Sequence, residues 1–225
     1  MASRFVLAAS AALAIHSVTA QQPGNTPEKH PELTTFKCTT SGGCVAQKTS
    51  LVLDWGNHKL EQTDGSACPV SNTSAVCSDN TSCNKNCVVQ GIDYANAGVR
   101  TSGDALTLNQ YISGNAVSPR VYLLDPNGQE YENVQLTGQE LTFDVELSTL
   151  PCGMNGALYL SEMAMSGGKS ATNPGAAYGS GYCDAQCPKQ TWFNGTVNNG
   201  VLGSEFQNPP SHEMPEILSK SLLIG

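Results

Sequence analysis

Of the two hydrophobic periods a chain can display, only the shorter is sustained here. From Gly103 onward apolar and polar residues alternate in short blocks: Ala105–Ile112 (ALTLNQYI), Arg120–Leu124 (RVYLL), Tyr131–Leu136, Glu140–Leu147 (ELTFDVEL) and Gly156–Met163. The alternation is cleanest in Glu140–Leu147. Leu141, Phe143, Val145 and Leu147 share one face there, which predicts a half-buried strand. Earlier in the chain Thr49–Trp55 (TSLVLDW) reads as a further strand, and Asp125-Pro-Asn-Gly128 is a turn signal. Helical periodicity is confined to one short turn expected near Ser82–Cys87. Short strands at this spacing, without an internal repeat, predict an all-β chain folded as an antiparallel β-sandwich of two sheets. Residues 21–37 are polar, contain three prolines and read as an extended arm, while 166–200 reads as loop, with Tyr178, Tyr182 and Trp192 as candidate stacking faces.

Composition narrows the class. Residues 1–20 have the form of a cleaved secretory signal: Arg4, the apolar run FVLAASAALAI, then Val-Thr-Ala. A net charge of −8 with only 11 Lys+Arg excludes a nucleic-acid partner, and no later apolar stretch is long enough to cross a membrane. Charged residues are 13% of the chain and Gly numbers 22, which suits a secreted, extracellular β-protein rich in turns.

The nine cysteines, Cys38, Cys44, Cys68, Cys77, Cys83, Cys87, Cys152, Cys183 and Cys187, follow a signal peptide and so read as a disulfide framework. None has a His at ligand spacing, so no metal is expected. Spacing leaves the connectivity open, a nested arrangement of 68–87 outside 77–83 being one option. An odd count leaves at least one thiol over. Asn72, Asn80 and Asn194 head glycosylation sequons, two of them inside the cysteine-rich segment, which is therefore expected at the surface. His30, His58 and His212 are expected to be solvated surface residues. Nothing in the chain calls for a cofactor.

The blocks TTFKCTTSGGCVAQKTSLVLDW, NCVVQGIDYANAGVRTSGDALTLNQY, SPRVYLLD, GQELTFDVELSTLPCGMNGALYLSEM and GAAYGSGYCDAQCP together resemble the fungal secreted cellulases of glycoside hydrolase family 7, its endoglucanases more than its cellobiohydrolases. The resemblance runs from about Gln21 to about Asn199. It implies a curved jelly-roll, concanavalin-like sandwich whose concave sheet holds a β-1,4-glucan partner, and hydrolysis with retention by a monomer. Tyr159, Tyr182, Asp184 and Gln186 fall where that family contacts sugar. The same resemblance pairs Cys38 with Cys44, Cys68 with Cys87 and Cys77 with Cys83. His58 and Lys59 depart from it, standing where the family commonly has an Arg-Trp pair.

Retaining hydrolysis needs two carboxyl groups about 5–5.5 Å apart. The family carries them in a Glu-x-Asp-x-x-Glu stretch directly after a Cys-Cys pair. Here WFNGTVNNG is succeeded instead by VLGSEFQNPPSHEMPEILSKSLLIG. Glu213 and Glu216 do not replace the pair: positions three apart on a strand face opposite ways, and Pro215 interrupts the ladder. The expectation is an incomplete sandwich: a signal over 1–20, the N-terminal part of the family domain over 21–200 and a nonhomologous tail over 201–225. No catalytic residue is expected in the chain, and Cys152, Cys183 and Cys187 are left without the partners that the family supplies further on. The alternatives are a noncatalytic β-glucan-binding chain and a non-functional fragment.

Overall fold

The computed structural model describes residues 22–69, 75–170, 173–182, 192–193, 196–197 and 220–224. The signal segment, Asn72, Cys183, Asp184, Gln186, Cys187, Asn194, His212, Glu213 and Glu216 lie outside the described residues. Asn80 and Trp192 are described in their backbone only. Among the described residues no helix is long and apolar enough to cross a membrane.

The arm begins with β1 (Gln22–Pro23), and β2 (Glu32–Thr39) and β3 (Gly43–Leu53) then form a long antiparallel hairpin, in register from Glu32↔Ser50 to Thr39↔Gly43. Residues 32–37, expected as arm, thus belong to a strand. The Cys38–Cys44 disulfide staples the hairpin near its turn. β3 starts exposed and ends in Leu51, Val52 and Leu53, each at 0% exposure.

After β3 the chain makes a single 3-10 turn, Trp55–Asn57, and then β4 (Leu60–Gln62). Helix α1 (Asn80–Asn86) is capped by Asp79, whose carboxylate accepts from Ser82 N at 3.0 Å, and leads into β5 (Cys87–Val89). β5 pairs antiparallel with β4 and parallel with β1. Disulfides Cys68–Cys87 and Cys77–Cys83 lie here. Cys77, Cys83 and Cys87 are buried with Trp55, Val89 and Tyr178 in one apolar cluster. The described residues of this segment are otherwise exposed or half-buried, as a surface segment should be, and the sulfurs form its buried centre because short polar loops offer few other apolar groups to bury.

Two small hairpins come next, β6 (Val99–Ser102) with β7 (Ala105–Leu108), and β8 (Tyr111–Ile112) with β9 (Asn115–Ala116). The block predicted as one strand over Ala105–Ile112 is thus split between two hairpins.

β10 (Val121–Leu124) then inserts beside β3, register Val121↔Leu53 to Leu124↔Ser50. Alternate residues of this pair serve opposite faces. Leu51, Leu53, Val121 and Leu123 pack with Leu33, Tyr94 and Val99 on one side. Val52, Tyr122 and Leu124 pack with Tyr131, Met163 and Ala176 on the other. A strand buried on both faces reads as a continuous apolar run, which is why LVL and VYLL stand out in the sequence.

The sheet is extended by β11 (Asn133–Val134), β12 (Leu158–Glu162) and β15 (Lys220–Ile224), the last lying between β10 and β11 on one side and β12 on the other. β13 (Trp192–Phe193) and β14 (Thr196–Val197) form a separate hairpin inside the stretch expected as loop.

Glu140–Leu147 corrects the sequence reading most sharply. The segment forms no strand and pairs with none among the described residues, and Phe143, Val145 and Leu147 are 50%, 58% and 46% exposed. Alternation specifies a face, but a strand also needs a neighbour to accept its ladder. An exposed apolar stripe of this kind promotes association. Replacing Phe143→Lys and Val145→Lys together is expected to leave the thermal midpoint within about 2 °C, since surface substitutions change stability by only about 0.5 kcal/mol. ANS fluorescence and light scattering are expected to fall.

Candidate functional site

β3 runs into Asp54, a carboxylate that gathers groups from three directions. Its Oδ1 accepts from Gly56 N at 2.9 Å and so caps the 3-10 turn. Its Oδ2 accepts from Arg120 Nη2 at 2.9 Å and from the Tyr122 hydroxyl at 2.5 Å. Asp54 N in turn donates to Arg120 O at 2.9 Å, continuing the β3–β10 ladder. Burial disfavours the Arg120 cation, but the charge and hydrogen bond of Asp54, together with Tyr122 and Tyr182, hold the guanidinium above its usual range. Burial, reinforced by Asp54, pushes the Tyr122 hydroxyl far above the normal tyrosine range, so it stays a neutral donor.

Tyr182 lies on this group. The Arg120 guanidinium sits 4.6 Å from the centre of its ring, and the Tyr122 ring is 6.0 Å away at 43°. The backbone carrying Tyr182 is fixed by polar contacts. Tyr131, fully buried and held neutral by that burial, donates to Ser180 O at 2.6 Å. Asn173 Oδ1 accepts from Gly175 N and from the Ser180 hydroxyl. Gly179 O accepts from Trp55 N at 3.0 Å. Gly179 has φ +68°, and a Cβ there would lie 1.9 Å from Leu53 O, so no other residue allows this approach.

Tyr159 is brought to the same side by register. Val52, Tyr122 and Tyr159 lie on one cross-strand row, linked through position 223 of β15. Residues in one such row share a sheet face, so Tyr159, 46% exposed, stands on the face against which Tyr182 packs. Two of the four residues predicted to contact sugar are thus gathered on one face. Asp184 and Gln186 lie outside the described residues. The sequence pattern does not single out Asp54, Arg120 and Tyr122, although LDW and SPRVYLLD contain them. The available signal was an acidic residue ending one apolar strand and a basic residue opening the next.

Behind this face sits a second polar group that the sequence placed on the surface. His58 and Glu28 have side chains only 1% and 4% exposed, with His58 Nε2 3.4 Å from Glu28 Oε2. His58 stacks on Trp55 at 5.8 Å between ring centres and meets Tyr178 at 5.6 Å. Glu28 also accepts from Tyr94 OH at 2.5 Å and from Ile92 N at 3.2 Å. His30 Nε2 lies 2.8 Å from Ala177 O, which can only accept, so that nitrogen bears the hydrogen. Neither histidine is the solvated surface residue expected from the sequence; both tie the arm to the segment leading into Tyr182. Burial raises the Glu28 pKa, but the adjacent His58 imidazole, together with the hydrogen bond from Tyr94, brings it below the usual carboxylate value.

The Sγ atoms of Cys68, Cys77, Cys83 and Cys87 lie within 4.8 Å of one another, a grouping that would suit a tetrathiolate metal centre. All four are engaged in disulfides. Cys152 is exposed and is the free cysteine among the described residues.

Comparison with known proteins places this architecture. The description Glycosyl hydrolase family 7 matches residues 23–212, and the chain belongs to that family. Endoglucanase EG-1 of Trichoderma longibrachiatum is 56% identical over 195 residues, 83% of this chain and 42% of that protein. The probable endo-beta-1,4-glucanase celB of Aspergillus clavatus is 53% identical over 212 residues, 90% and 50% of the two chains. Among solved structures, the native Humicola insolens endocellulase EGI matches with a TM-score of 0.71 at 47% identity, over 79% of this chain and 47% of that one. Endoglucanase I complexed with cellobiose matches with a TM-score of 0.69 at 46% identity over the same shares. The chain is thus built on the jelly-roll of these enzymes and spans about half the length of the curated relatives it matches.

Two outcomes test the geometry. Gly179→Ala is expected to destabilise the chain by about 3 kcal/mol or more, read as a fall in the urea midpoint at unchanged slope. Glu28→Gln is expected to cost about 1–3 kcal/mol near neutral pH. Because the folded carboxyl is held below its reference value of 4.5, its contribution is complete above that value and is lost as pH falls through the folded one. The gap in thermal midpoint between parent and variant should therefore close as pH is lowered beyond 4.5 and through the folded value.

Proposed function

We propose that this chain supplies the glucan-holding part of a secreted endo-β-1,4-glucanase domain that acts with retention, and that by itself it binds β-1,4-glucan without cutting it. The observation that carries this reading is the gathering of Tyr159 and Tyr182 on one sheet face, with Arg120 and Tyr122 bracing the second ring. Tyrosine rings offer apolar faces to the C–H surface of a pyranose, with hydroxyls at their edge for polar contacts. Asp184 and Gln186 are assigned to hydrogen bonds with sugar hydroxyls, on the pattern of the family. The names of the relatives, endoglucanases and endo-beta-1,4-glucanases, agree with the substrate class, and one solved relative is complexed with cellobiose.

Cleavage would need a nucleophilic carboxylate and a second carboxyl with a raised pKa as acid and then base. The Glu-x-Asp-x-x-Glu stretch that provides them in the family does not occur in the sequence. Asp54 is no substitute, because it is already bound by Arg120, Tyr122 and the Gly56 amide. The chemistry that remains is recognition: rings for stacking, and donors and acceptors for orientation. No cofactor is needed for either step.

Affinity electrophoresis on barley β-glucan and calorimetry with cellotetraose test this reading on residues 21–225. Retardation without reducing-sugar release is expected, with Tyr159→Ala and Tyr182→Ala each weakening binding several-fold. Release of reducing sugar, or retardation equal to that of an unrelated acidic protein, would overturn it.

A further inference from the structure

The residues matched by the family end at 212, yet the sheet contains a strand beyond them. β15, Lys220–Ile224, runs antiparallel to β12 along the full length of both, from Leu158↔Ile224 through Leu160↔Leu222 to Glu162↔Lys220. On its other edge it meets β10 at Val121↔Ile224 and Tyr122↔Leu223, and β11 at Asn133↔Ser221 and Val134↔Lys220. Among the described residues no other strand pairs with β12. The backbone groups of Leu158–Glu162 therefore depend on β15 for their ladder, and so does the position of Tyr159.

From this the geometry points to a strand-acceptor slot between β10–β11 and β12, filled in cis by Lys220–Ile224, which acts as the positioning element for Tyr159. The sequence of the occupant suits the place. Leu222, Leu223 and Ile224 form a continuous apolar run, the sequence pattern of a strand in the interior of a sheet whose faces are both covered. The slot selects for an extended segment with free backbone N–H groups, since an unpaired strand cannot satisfy its own donors and acceptors. A segment beyond the family-matched residues thereby becomes part of the surface that carries the candidate site. The consequence for sugar rests on the proposed function; the slot itself does not.

Hydrogen exchange separates the two. In the parent chain the amides of 158–162 and 220–224 are expected to be protected together. Leu222→Pro removes a backbone N–H from the middle of β15 and is expected to speed exchange at 158–162 at least tenfold, with the amides of Leu51–Leu53 unchanged. It should also lower cellotetraose affinity to that of Tyr159→Ala. If Leu51–Leu53 also lose protection, Leu222→Gly is measured in its place with the same expectation. Adding a synthetic peptide of residues 217–225 to either variant should restore protection at 158–162. Protection at 158–162 that is absent in the parent, or unchanged in the folded variant, would overturn the slot. Protection that is lost as expected in a chain with no affinity for cellotetraose would uphold the slot and overturn the glucan reading.

Discussion

The ladder between β3 and β10 is the constraint on which the rest of the molecule turns. Its residues are buried on both faces, so every neighbouring element must cover one side or the other. The hairpin strand β2 extends it on one edge, Tyr94 and the β6–β7 hairpin cover one face, and Tyr131, Met163 and segment 173–182 cover the other. The ladder also ends at a polar junction. Asp54 finishes one strand, Arg120 precedes the next, and the two close on each other where the apolar run stops. Burial thus sets the sheet, and the point at which burial ceases sets the location of the candidate site.

A second, smaller core depends on covalent chemistry. The segment around α1 has few large apolar residues, and its disulfides supply both the cross-links and the buried atoms. Restricting the unfolded chain in this way is worth about 2–4 kcal/mol for a typical bridge. Trp55 and Tyr178 join this core to the segment bearing Tyr182, and Glu28, His58 and His30 stitch the arm across the same seam. The seam is polar yet closed, which is affordable only because the Glu28 carboxylate finds several donors.

How much of this was legible in the sequence depended on whether a signal was local. The runs LVL and VYLL announced buried strands, and Gly156–Met163 contained β12, because apolar runs and alternation report burial directly. The alternation of Glu140–Leu147 was just as clear and yet produced no strand, since pairing is a property of two segments and only one was read. The burial of His58 was invisible for a related reason: its partners Glu28 and Tyr178 are distant in the chain, and a polar loop composition argued for solvent. Strand β15 had the apolar run of a buried strand but stood in a tail with no recognised context. Tyr159 and Tyr182 were named through resemblance, while their common face emerged only from strand register.

The bracing of Tyr182 has a thermodynamic corollary. A ring held against a guanidinium and a neighbouring phenol, on backbone anchored by Tyr131, Asn173 and Gly179, has already surrendered rotational freedom during folding. Whatever stacks on it meets a preorganised surface, and the entropic penalty of complex formation falls chiefly on the incoming molecule.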